Sequence, residues 1–130
     1  MDLDVTPSEK GYDFGADTER IIGAAMTVHR ELGPGFLEFT YQSALAVELQ
    51  RTGIAFQREV DIPIYYRDIL IDTRRADIVV GEIILELKAV EHLLPEHVSQ
   101  LAMYMKAARR HLGLLLNFGA PKLQIKRVVR

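Results

Sequence analysis

Arg74-Arg75-Ala76-Asp77-Ile78-Val79-Val80-Gly81-Glu82-Ile83-Ile84-Leu85-Glu86-Leu87-Lys88 holds two runs rich in branched aliphatic residues, joined at a glycine. Such runs, bounded by turn residues, read as two strands of a buried sheet connected by a tight turn. Side chains alternate along a strand, so Glu86 and Lys88 share one face, about 6.6 Å apart, while Leu85 and Leu87 take the other. A turn at Gly81 brings Asp77 back beside Glu86 as a cross-strand neighbour. Two carboxylates and an ammonium then converge within an apolar strand pair, where charged groups cost desolvation. A hard divalent cation suits that set, since Mg²⁺ is held by one or two carboxylates while waters and substrate phosphate complete its octahedron. The cation acidifies water, and a nearby lysine orients that water or offsets charge at phosphorus. Phosphodiester hydrolysis is the chemistry these residues point to; an ion pair within the sheet is the plain alternative.

Outward from this segment the periodicity sets the architecture. Asp17 or Thr18 is placed to N-cap a helix with Ile21, Ala25, Val28 and Leu32 on one face, stopped by Gly33 and Pro34. A second helix runs from Phe36 or Leu37 to Thr52, with Leu37, Tyr41, Leu45 and Leu49 at intervals of four and Gly53 past its end. The period then falls to two, with Phe56, Arg58, Val60, Ile62 and Ile64 alternating against Ala55, Gln57, Glu59 and Asp61, which predicts a strand. Tyr66, Arg67 and Asp68 form the next turn, ahead of strands over Ile69–Val80 and Glu82–Val90. Pro95 opens a helix to about Arg110, with Val98, Leu101, Ala102 and Met105 as its buried stripe. Leu112–Asn117 is a short apolar strand, Phe118–Pro121 a loop, and Leu123, Ile125, Arg127 and Val129 alternate as an edge strand. The expected fold is α/β, with a mixed central sheet of four to five strands flanked by helices. Residues 1–16 read as a flexible leader and residues 17–130 as a single domain.

The chain has 130 residues, of which 48% are hydrophobic and 26% charged, a globular rather than a disordered balance. It contains no cysteine, which excludes thiol nucleophiles, zinc knuckles, iron–sulfur clusters and disulfides. No stretch approaches the roughly 18 apolar residues of a membrane span, and the acidic N-terminal stretch does not read as a signal peptide, so a cytoplasmic location is expected. The net charge of −2 supplies no global field for nucleic acid. Its distribution is uneven: all 18 acidic residues precede Lys106, and Lys106, Arg109, Arg110, Lys122, Lys126, Arg127 and Arg130 follow without one. Such a run is usually a solvated face, and gains meaning only beside a catalytic site.

Two helices carry further candidates. Glu38 and Tyr41 are three residues apart and neighbours on one helical face; Glu38 is placed for a metal or water, or simply for the helix macrodipole. His97, Gln100 and Tyr104 follow an i, i+3, i+7 spacing on the later helix. Gln100 can bond a water or a scissile phosphate, and Tyr104 can reach a phosphate or stack on a base. Glu91-His92 and Glu96-His97 do not make a zinc site, because Pro95 interrupts the helix that paired histidines need. Gly33-Pro34-Gly35 lacks the Gly-Lys-Ser/Thr of a phosphate loop, and there is no G-x-S-x-G.

The pattern Gly35, Glu38, Tyr41, followed by ADIVV, ILELKAVE, HVSQLAMYM and LGLLLNFG, resembles the GxxExxY family, placed in the PD-(D/E)XK nuclease superfamily. The resemblance runs from about Thr18 to Val129 and departs at Ala76, where the superfamily name has a proline. It implies a restriction-endonuclease-like three-layer core and a metal-dependent nuclease. On this resemblance Asp77 and Glu86, with the Leu87 carbonyl, hold Mg²⁺ or Mn²⁺, and Glu38 holds a second metal or its water. Lys88 positions the attacking water and Gln100 orients the site. Tyr41, Arg74, Arg75, His97, Tyr104, Arg109 and Lys122 contact nucleic acid, with DNA ahead of RNA and no membrane involved. A second copy of the chain or a partner protein is a further expected contact. The alternative is a catalytically silent module that uses the fold to bind nucleic acid or a protein.

Overall fold

The computed structural model describes residues 15–130, so the reading of a flexible leader lies outside the described residues except at Gly15 and Ala16, which are helical. Helix α1 spans Gly15–Leu32 and buries Ile21, Ala24, Ala25 and Val28. It starts two residues before the expected cap at Asp17 and ends where Gly33 turns left-handed (φ 66°) and donates its N–H to the His29 carbonyl at 2.8 Å. Helix α2, Glu38–Arg51, buries Tyr41, Gln42, Leu45 and Leu49, whereas Leu37, expected on the same stripe, is the N-cap residue and is exposed because it precedes the first helical turn.

Strands β1 (Gln57–Tyr66), β2 (Ile69–Val80) and β3 (Ile83–Lys88) follow, then helix α3 (Pro95–Ala108) and strands β4 (Leu112–Asn117) and β5 (Gln124–Val129). The five strands lie in chain order, antiparallel except for β3 and β4, which run parallel because α3 crosses over between them. Helices α1 and α2 cover one face over Ile78, Val80, Leu85, Leu87, Leu114 and Leu116. Helix α3 covers the other through Leu101, Tyr104 and Met105, packed on Ile84, Leu115 and Val128. This is the expected three-layer, restriction-endonuclease-like core. Among the described residues, no helix is long and apolar enough to cross a membrane.

The strand expected from a strict alternation between Phe56 and Ile64 forms, but its two sides exchange part-way. Phe56 packs into the core under α1 and α2, and the Arg58 guanidinium bonds Gln42 Oε1 and Ser43 Oγ of α2 at 3.0 and 2.8 Å. Val60 and Ile62 lie instead in the core under α3. Glu59, between Arg58 and Val60, is left-handed (φ 51°), which rotates the strand and transfers its apolar side chains to the opposite layer. Beyond this point the β1–β2 hairpin runs out to a two-residue turn with Arg67 and Asp68 both at positive φ, 49° and 65°, matching the twist of the strands. Tyr65, Tyr66, Ile69, Leu70 and Ile71 on this arm are more than half exposed.

Asn117, at the end of β4 and fully buried, ties three segments together. Its Oδ1 accepts the N–H groups of Val90 and Gly119, both at 3.0 Å, and its Nδ2 donates to the Val90 carbonyl and to Gln124 Oε1, both at 2.8 Å. Gly119 is required beside it, since a Cβ there would lie 2.4 Å from the Val90 nitrogen. Asn117→Ala should lower unfolding free energy by about 2–3 kcal/mol, because buried backbone groups lose their partners. Urea denaturation should show a lower midpoint at an unchanged slope; an unchanged midpoint would show that this staple adds nothing.

Candidate active site

The site forms where β2 and β3 part. Their ladder runs from Val80↔Ile83 to Ile78↔Leu85 and stops, leaving Asp77 and Glu86 opposite one another. Side chains replace the missing ladder bonds: Asp77 Oδ2 accepts the Leu87 N–H at 2.8 Å, and Glu86 Oε1 accepts the Asp77 N–H at 3.2 Å. One oxygen of each carboxylate is thereby tied to the backbone. Glu86 shares the face of Ile84, toward α3, and is buried. Lys88, two residues on, donates from Nζ to Gln100 Oε1 of α3 at 3.3 Å. Tyr104 lies one turn further along α3.

The electrostatics follow from burial. The Glu86 carboxyl is pushed from 4.5 up to about 8, first by burial and then by the charge of Asp77, with the Asp77 N–H and Lys88 opposing. Asp77 is also raised, chiefly by burial; the Leu87 N–H opposes this, and the charges of Glu38 and Glu59 add to it. Burial, followed by Glu86, raises the Tyr104 phenol. Two carboxylates that repel each other in a dry notch, each oriented by an amide, fit a divalent cation, which needs only such a pair and completes its shell with water. Among the described residues, no group of three or more His, Asp or Glu is gathered closely enough to enclose a metal. The charge of Glu38 acts on both carboxylates.

A family model of the PD-(D/E)XK nuclease superfamily matches residues 16–128. The chain belongs to this superfamily. No curated protein and no solved structure matches it. In this PD-(D/E)XK chain Asp77, Glu86, Lys88 and Gln100 come together, as the strand and helix spacing anticipates. Ala76, at the position of the name's proline, is fully buried in the core under α3, where a small side chain fits.

The residues expected to touch nucleic acid are placed less uniformly. Tyr41 is fully buried: its hydroxyl donates to the Gly33 carbonyl and accepts the Phe36 N–H, and its ring stacks on Phe118 at 4.8 Å. It holds the α1–α2 turn and offers no surface to a strand. Tyr104 is buried as well, within the core under α3. His97 accepts the Leu94 N–H on Nδ1 at 3.0 Å and so caps α3. Arg74 and Arg75 are exposed on the hairpin and paired with Asp72 and Asp61 at 3.1 and 3.4 Å. Arg109 caps the far end of α3 in a left-handed conformation, about 13 Å along the axis from Gln100. Lys122 is exposed in a groove with Met26, His29 and Pro121, which contains none of the four clustered residues. Glu59 is the acidic neighbour that sequence reading missed. It faces Asp77 in the register between Arg58↔Ile78 and Val60↔Ala76, and nothing in the residue types signals its turn.

Proposed function

We propose that the protein is a metal-dependent nuclease of the GxxExxY branch, hydrolysing phosphodiester bonds of DNA. One observation carries the reading: Asp77 and Glu86 occupy a single buried notch, each fixed by a backbone amide, with Lys88 as the cation beside them. A fold stabilised for its own sake gains nothing from crowding a half-buried and a buried carboxyl group together. Asp77 and Glu86, with the Leu87 carbonyl, would hold Mg²⁺ or Mn²⁺, which supplies Lewis acidity to a phosphoryl oxygen and acidifies water. The Lys88 ammonium orients the attacking water and offsets charge gathering at phosphorus. Gln100 fixes the position of Lys88 through its amide oxygen.

Calorimetric titration with Mn²⁺ and Mg²⁺ tests the reading without a chosen substrate. Wild-type protein should bind at millimolar affinity or better, and Asp77→Asn and Glu86→Gln, each folded by circular dichroism, should lose the heat. Equal heats in all three proteins would remove the metal site and favour a silent binding module.

A further inference from the structure

The turn into helix α2 presents an apolar patch beside Glu38, and its Phe39 ring meets Arg58, which stands opposite Ile78, one residue from Asp77. Phe36, Leu37 and Phe39 are 48%, 79% and 60% exposed, and they straddle Glu38, whose charge is felt by both Asp77 and Glu86. Tyr41 occupies the inward position of this turn, so the three side chains are not needed by the core. Two of the rings are also held in place. Phe36 meets Tyr41 edge-on at 6.1 Å, and Phe39 carries the Arg58 guanidinium 5.3 Å from its centre. Arg58 is itself clamped by Gln42 and Ser43 of α2, so ring and guanidinium are preorganised together.

Charge determines what such a patch can receive. A duplex presents phosphates outward and hides its base faces, so its binding rests on neutralising cations. Here Lys88 is opposed by the charges of Glu38 and Glu59 on Asp77, and the neighbouring Arg74 and Arg75 are paired with Asp72 and Asp61. An unpaired strand can in addition turn base faces onto aromatic rings, an attraction indifferent to sequence that adds to phosphate neutralisation and that a duplex cannot use. Resting on the nuclease reading above, we propose that the substrate is an unpaired nucleic acid strand whose bases stack on Phe36 and Phe39 as its phosphate enters beside Glu38. Leu37 packs against the same bases, and Arg58 stiffens the Phe39 platform.

Fluorescence anisotropy tests this with labelled twelve-nucleotide oligo(dT), oligo(U) and a twelve-base-pair DNA duplex, in Ca²⁺ to allow binding without turnover. Wild-type protein should bind oligo(dT) at least about tenfold more tightly than the duplex, and Phe39→Ala should weaken oligo(dT) by about tenfold. Phe39→Trp should restore it, while the duplex responds to neither change. Equal affinity for oligo(U) supports the base face as the recognised chemistry. A duplex bound as tightly as oligo(dT), or oligo(dT) binding indifferent to Phe39→Ala, overturns the proposal. The metal titration separates the two readings: metal binding without strand preference ends this inference alone, whereas Phe39-dependent strand binding without metal ends the nuclease reading.

Discussion

Lys88→Ala should lower phosphodiester cleavage by about 10²–10³-fold while leaving the fold and metal binding in place. The size follows from the location of the ammonium. Lys88 lies at the end of β3, on the side of Glu86, with its Nζ held by Gln100 in a partly buried site where a charge acts more strongly than in water. A donor fixed in such a place stabilises charge that develops only as the reaction proceeds. The fold should tolerate the change, because Lys88 makes one long hydrogen bond and its neighbours Leu85 and Leu87 supply the packing. The check is a single-turnover assay on any substrate the wild type cuts, with melting measured alongside. Gln100→Ala should give a smaller loss, since it removes a positioning contact and keeps the charge. Cleavage surviving Lys88→Ala would deny the ammonium its role.

Glu86 should make the metal-free protein less stable as pH rises, the reverse of an ordinary ion-paired acid. In the unfolded chain the carboxyl ionises near 4.5, whereas in the fold it keeps its proton up to about 8. The folded state therefore binds more protons between those values, and stability present in full below 4.5 is lost as pH climbs through 8. Asp77, raised in the same direction, adds to the fall. Glu86→Gln removes its share of this dependence. The variant should exceed wild type by roughly 3–5 kcal/mol above pH 8 in chelator, and the gap should close toward pH 4. Urea denaturation at several pH values measures it. Parallel curves for the two proteins would show that Glu86 ionises normally. Adding Mg²⁺ or Mn²⁺ should restore wild-type stability and leave the variant unchanged, since only a native-state ligand shifts the balance.

The residues of the notch were legible because strand geometry constrains them so strongly. Asp77, Glu86 and Lys88 sit among branched aliphatics in which a period of two leaves one arrangement, and the glycine at 81 fixes the fold-back between them. Gln100 joined the site through the family resemblance, helical spacing placing it only on a face with His97 and Tyr104. The same spacing could not say which way a face looks: Tyr41 and Tyr104 lie at intervals that suit a binding stripe, yet both rings turn into a core. Glu59 was hidden for a different reason. Nothing separates a left-handed glutamate from an ordinary one in a run that still alternates, and the exchange of sides in β1 appears only once α2 and α3 both draw on the strand. Arg74 and Arg75, expected to contact phosphates, are paired with Asp72, two residues back on β2, and with Asp61, the register partner of Arg75 on β1.

The parting of β2 from β3 also makes the backbone a recorder of the site's state. The amide protons of Asp77 and Leu87 are held by carboxylate oxygens rather than by strand carbonyls. Their exchange with deuterium and their chemical shifts must therefore follow each carboxyl as it gains a proton or a cation. Ile84 and Leu85, a step away inside the intact ladder, share the same sheet without that dependence. Four adjacent backbone signals thus divide into two that respond to the chemistry and two that serve as their internal reference.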